Sequence, residues 1–150
     1  APTRPVAAYV GVVVALNLGA WLAQVVPALD DRYPTPMLDG TGVATNAIYV
    51  QDLAVWLPLA GVAATWLAPH QPRGAVVVGA LLAMWVIEGV SVAVDQWFGA
   101  TVDPGSAVVS KGLVLPFLVI AGVGVLPLWL LVRRQRPEEP HSALRRRSHG

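Results

Sequence analysis

Glu88 is the only charged residue within residues 75–94, an apolar run long enough to cross a bilayer. A carboxyl group near the centre of a spanning helix costs a few kcal/mol on insertion scales, with the related Asp at about +2.5 to +3.5, and is rarely left facing lipid. It therefore points to an interior, a partner or a cavity. Ser91 and Asp95 follow at intervals of three and four residues, which puts all three on one helix face. Asn17 and Gln24, seven apart, share a face in the first apolar run. Gln51 and Asp52 open the second run and Lys111 stands beside the fourth. Gathered at one end of a bundle, Asn17, Gln24, Asp52, Glu88, Asp95 and Lys111 would line a polar pocket, because unsatisfied polar groups in hydrocarbon are costly. Such a pocket could bind a cation, a proton, or the polar group of a small or lipidic ligand. The alternative is structural: Asn17 and Glu88 hydrogen-bond between helices, Lys111 snorkels to Asp95 or Asp52, and nothing binds.

Other chemistry has less to work with. His70, His141 and His149 lie in a loop or the tail, away from any apolar run, so paired ligation of an intramembrane haem is not offered. Asp52, Glu88 and Asp95 have no histidine beside them and no spacing characteristic of a metal site. Cysteine is absent, which removes disulfides and thiolate sites. No nucleophile and base pair can be read, so an enzyme is the least favoured class, with no catalytic residue, cofactor or metal expected. The Arg145–Arg147 cluster is short, diluted by Glu138 and Glu139, and lacks interleaved aromatics, which argues against nucleic acid.

The elements that position these residues follow from composition. Hydrophobic residues make up 55% of the 150-residue chain and charged residues 13%. A soluble domain would carry roughly 25% charged residues. The apolar material falls in helix-sized blocks, giving an all-α integral membrane bundle of four spans at about residues 6–29, 48–68, 75–97 and 112–132. Residues 1–132 form the membrane domain, and 133–150 form a basic tail expected to be disordered. Residues 30–45 are rich in Pro, Gly, Asp and Thr and suit a solvent-facing loop, whereas the short connection 69–74 makes spans two and three an antiparallel hairpin.

Charge sets the expected orientation. If the spans alternate, Arg4, Arg73, Arg133, Arg134, Arg136 and Arg145–Arg147 share one side; Asp30, Asp31, Asp39 and Asp103 share the other with only Arg32 and Lys111. The positive-inside rule then makes the Arg-rich side cytoplasmic, with both ends of the chain on it, in a multi-pass plasma-membrane protein. Trp21, Trp56, Trp66, Trp97 and Trp129 are assigned to an interfacial belt and Trp85 to packing. Gly11, Gly19, Gly122 and Gly124 are expected to let helices approach closely. Pro58, Pro116 and Pro127 are candidate kinks, and Arg133, Arg134 and Arg136 are candidate contacts to anionic lipid.

One set of local patterns goes further. The run from Trp21 to Leu29, then Thr41-Gly42, Thr45-Asn46, Val50-Gln51-Asp52-Leu53-Ala54 and Leu57-Pro58, resembles a group of uncharacterised integral membrane proteins of high-GC, actinobacterial type. The similarity covers about residues 6–128. Ala47 stands where the family's pattern usually has proline. The resemblance implies two further helices upstream and agrees with a chain that is the C-terminal part of a longer protein, but it supplies neither substrate nor catalytic residues. Asn46 is expected to cap the second helix, and Asp52, in its second turn, to pair with Lys111 or Arg32. The leading functional expectation is a membrane protein that binds or moves a small solute, ion or lipid through an outward-facing polar pocket. The alternative is a structural or assembly subunit of a membrane complex, its protein partner unspecified.

Overall fold

The computed structural model describes residues 2–29, 47–105 and 109–133. The loop before residue 47, with Asn46 and Arg32, and the tail from 134, with Arg134 and Arg136, lie outside the described residues. Four helices are long and apolar enough to cross a membrane: Thr3–Ala28, Ala47–Leu67, Pro72–Val102 and Lys111–Arg133, called here the first to fourth spans. Among the described residues there is no strand. The all-α bundle expected from composition is therefore the observed architecture, with shifted boundaries. The third span has 31 residues, about 46 Å at 1.5 Å per residue, so it outreaches a hydrocarbon core of about 30 Å. It begins three residues earlier than hydropathy suggests because Pro72 occupies its first turn, where a missing N–H costs nothing.

The hairpin joining the second and third spans is built from local chemistry. His70 takes a left-handed backbone, φ 67°, and its N–H donates to Leu67 O at 2.9 Å while Gln71 N–H donates to Trp66 O at 3.0 Å. This pair of bonds closes the helix end in the manner of a Schellman motif, with histidine in the position glycine usually fills. Gln71 is then extended, as a residue before proline must be, and the chain re-enters a helix at once. Gly74 lets the returning helix lie against Trp66 and Leu67.

Packing is uneven along the bundle. The buried cluster comprises Val6, Ala7 and Val10 of the first span, Ala60, Ala63, Ala64 and Leu67 of the second, Val78, Leu81 and Leu82 of the third, and Leu131 of the fourth. Most of these belong to the arginine end. Beyond Val10 no residue of the first span is buried, and its remaining turns touch the bundle only at its edge, through Val14 and Trp21. The third and fourth spans stay together much further, because Gly89 meets Ala121 and Gly124 meets Val86. Gly11, Gly19 and Gly122, expected to mediate close approach, face open space instead. Lipid is as apolar as leucine, so hydropathy alone does not say which face of a span meets another helix.

Tryptophans mark both rims. The Arg73 guanidinium carbon lies 4.4 Å from the Trp66 ring centroid, and that of Arg133 lies 4.8 Å from Trp129. At the opposite end Lys111 Nζ lies 5.3 Å from the Trp97 ring. Trp85 packs partly against the buried cluster, as expected. Trp56 does not belong to a rim: it is the tenth of 21 residues in its span and therefore lies at mid-depth.

Candidate functional site

The second span carries the main irregularity of the fold. Between α-helical Ala47–Gln51 and Leu57–Leu67, residues Asp52–Trp56 form a π-helical turn, and Leu57 N–H reaches back to Asp52 O. Pro58 supplies the physical reason. It has no N–H for Ala54 O and its ring crowds that carbonyl, so the preceding turn widens rather than continuing as α-helix. The expected kink residue thus acts as a register shift. The extra residue in that turn re-aims Asp52 and Trp56, which bracket it.

Asp52 is half-buried and accepts a hydrogen bond of 2.8 Å from Trp21 Nε1. The Trp21 ring also lies 6.0 Å from Tyr49, tilted by 52°. This replaces the expected pairing of Asp52 with Lys111: Lys111 instead sits over Trp97 and makes no ion pair with a described carboxylate. The indole of the first span reaches Asp52 where the amine of the fourth does not. An N–H held against a carboxylate in this setting should be worth about 1 kcal/mol, in line with interhelical bonds in membranes. A double-mutant cycle with Trp21→Phe and Asp52→Ala, read by unfolding in detergent, is expected to return a coupling of that size. Strictly additive losses would deny the contact.

Glu88 lies near the midpoint of the third span and is exposed on the flank of the bundle. It lines a groove of about 570 Å³ with Trp56, Ala80, Ala83, Met84 and Ile87. Ala80 and Ile87 are themselves exposed, so the groove opens sideways along the helices. Its floor from Ala80 to Ile87 runs from Glu88 toward the arginine end and is apolar. Glu88 makes no hydrogen bond and no ion pair with any described residue. Ala80, Met84, Ile87 and Ser91 recur at intervals of four, three and four residues, the spacing of a helix-packing seam, and none of the four is buried.

The other sequence candidates are placed differently. Asn17 is exposed and its amide donates to Val13 O of its own helix at 2.9 Å, making no bond to another span. Gln24 and Asp95 are exposed, and the stripe of Glu88, Ser91 and Asp95 lies along the open flank of its helix. The buried polar residue toward the end opposite the arginines, among the described residues, is Gln96, 7% exposed, whose Oε1 accepts from Ser110 N–H at 2.7 Å and pins the start of the fourth span to the third. Its position one residue past Asp95, on the face carrying Gly89 and Ala93, was the sequence signal for it. Among the described residues no three His, Asp or Glu side chains gather as a metal site would require.

Fold and groove together define a four-helix bundle of membrane-spanning type with a mid-span carboxyl group, Glu88, beside a laterally open, apolar groove. Comparison with protein-family models, with curated proteins and with solved structures found no match.

Proposed function

We propose that this chain is an assembly subunit of a multi-pass membrane protein or complex, in which the groove between the second and third spans receives a further transmembrane helix. The observation that carries this reading is Glu88, exposed at mid-span without a hydrogen-bond partner among the described residues. A carboxyl so placed needs a donor, and the apolar groove beside it offers a helix-packing seam along which one would arrive. The occupant is a helix carrying an amide, hydroxyl or cationic side chain level with Glu88. In a protein of the family the chain resembles, an upstream helix would be that occupant. The chain is read as a plasma-membrane protein, and the positive-inside rule supports an orientation with the arginine end cytoplasmic.

A second reading keeps the groove as a binding site for a small amphiphile whose polar group meets Glu88. The volume of about 570 Å³ supports it, being within the range of roughly 300–1,000 Å³ typical of ligand pockets. The chain has no native cysteine, so one experiment separates the two. Single cysteines at Ala80 and Ile87 are compared in native membranes with cysteines at Val119 and Ile120 on the exposed face of the fourth span. A docked helix gives short-range crosslinks from the groove positions alone. Equal behaviour at all four positions means that lipid covers both faces and the assembly reading fails. Labelling of the groove positions by a water-soluble thiol reagent, without crosslinks, favours the ligand pocket.

A further inference from the structure

The donor that Glu88 needs stands on its own helix. Ser91 lies three residues further along the third span, about 4.5 Å toward the end opposite the arginines, on the same open flank. Both side chains are exposed, and neither makes a hydrogen bond with any described residue. One helix face thus presents an unpaired acceptor and an unpaired donor less than a turn apart, at mid-span. Such a pair is self-complementary: across two parallel copies of the helix, each carboxyl accepts from the other's hydroxyl. The alternation Ala80, Met84, Ile87, Ser91, at four, three and four residues, is the one about which parallel helices pack, and Glu88 adjoins Ile87 at its edge.

Membrane topology supplies the parallel arrangement. Copies of one chain insert in one orientation, because the same arginine-rich end selects the same side. Equal residues of two copies therefore lie at equal depth, and a two-fold axis along the membrane normal sets this flank against itself. We propose that a second copy of this chain occupies the groove, third span against third span, with Glu88 of each copy accepting a hydrogen bond from Ser91 of the other. The proposal rests on the groove receiving a transmembrane helix and names that helix. Trp56, which walls the groove on the second span, then flanks the incoming helix. The same symmetry brings the two exposed Asp95 side chains to one level, about 10 Å beyond Glu88, where like charges oppose the pair.

The test uses the full chain in phosphatidylcholine liposomes, with association read by energy transfer between differently labelled copies as lipid dilutes them. Glu88→Leu and Ser91→Ala are each expected to weaken the pairing of like copies about 30-fold, since either change removes both reciprocal bonds. A Glu88→Leu copy mixed with a Ser91→Ala copy keeps one of the two bonds, and that mixed pair is expected to lose only about fivefold. Asp95→Asn leaves the bonds intact and is expected to tighten the pair about twofold, the scale of an exposed charge contact. A mixed pair no tighter than the like pairs overturns the reciprocal contact, and a pair weakened by Asp95→Asn overturns the two-fold. In native membranes, oxidation of Ile87→Cys is expected to give a disulfide product of twice the chain mass, and Ile120→Cys on the fourth span is not. Crosslinking of Ile87→Cys to another segment of its own chain, or to a different protein, overturns the second copy while the groove still receives a helix. No crosslink of any kind removes both.

Discussion

Gly74→Ala is expected to open the hairpin between the second and third spans at a cost of about 3 kcal/mol, the upper part of the range for overpacking. An added Cβ at this position would lie 2.6 Å from the Trp66 carbonyl carbon and 2.8 Å from Leu67 Cα, and would also meet Leu67 N. These are backbone atoms, so no side-chain rotation relieves the contact. They also belong to the turn whose geometry His70 and Gln71 fix through the bonds to Leu67 O and Trp66 O. The clash must be met by separating the helices just where Leu67 and Val78 are fully buried, which removes packing from the best-formed part of the bundle. Gly61→Ala is the matched control. It lies in the same hairpin, nothing stands within 4 Å of its added Cβ, and an alanine in a helix is favoured by about 0.5–1 kcal/mol. Unfolding of the two variants in detergent should therefore shift in opposite directions. Similar losses for both would mean that the tight approach at Gly74 is not a constraint.

The contrast between these glycines also shows what the sequence could convey. Hydropathy located four spans, because crossing about 30 Å of hydrocarbon demands a composition that few other structures share. Periodicity placed Glu88, Ser91 and Asp95 on one face, and they do lie along one exposed stripe. What neither could supply was the neighbour of that face. A Gly, Ala or Val contributes the same apolar character whether it meets a helix or an acyl chain, so Gly89 and Gly124 make close contacts while Gly11, Gly19 and Gly122 make none. Asp52 illustrates a second limit. Its partner was sought by charge; Arg32 lies outside the described residues and Lys111 lies over Trp97, while the π-helical turn before Pro58 and the nearness of the first span present Asp52 to the Trp21 N–H. A register shift of one residue leaves little trace in composition, although a proline six residues after an intramembrane aspartate was a local warning. Trp56 was assigned to a rim although the expected span of about 48–68 already placed it near mid-depth, and the observed span from Ala47 to Leu67 keeps it there.

Glu88→Leu is expected to leave the folding stability of the isolated chain within about 0.5 kcal/mol of wild type, while weakening assembly in native membranes about 30-fold. The two halves of this expectation have different origins. Inserting a carboxyl into hydrocarbon costs about 3 kcal/mol, but the cost appears equally in the folded bundle and in separated spans when the group faces outward in both, so it cancels from the folding equilibrium. Glu88 has no described hydrogen bond to lose, and the groove beside it can accept a leucine without displacing a buried side chain. Association differs, because only there does the carboxyl exchange lipid for a donor, and a hydrogen bond to a charged group is worth about 2 kcal/mol. Glu88→Gln keeps an acceptor of the same shape and should lose about fivefold or less. Native electrophoresis of extracted membranes reads the assembly, and detergent unfolding of the purified chain reads the fold. A loss of several kcal/mol in the purified chain would instead make Glu88 an internal strut of the bundle. Unchanged assembly with leucine at 88 would leave the exposed carboxyl without the role that its position in the groove implies.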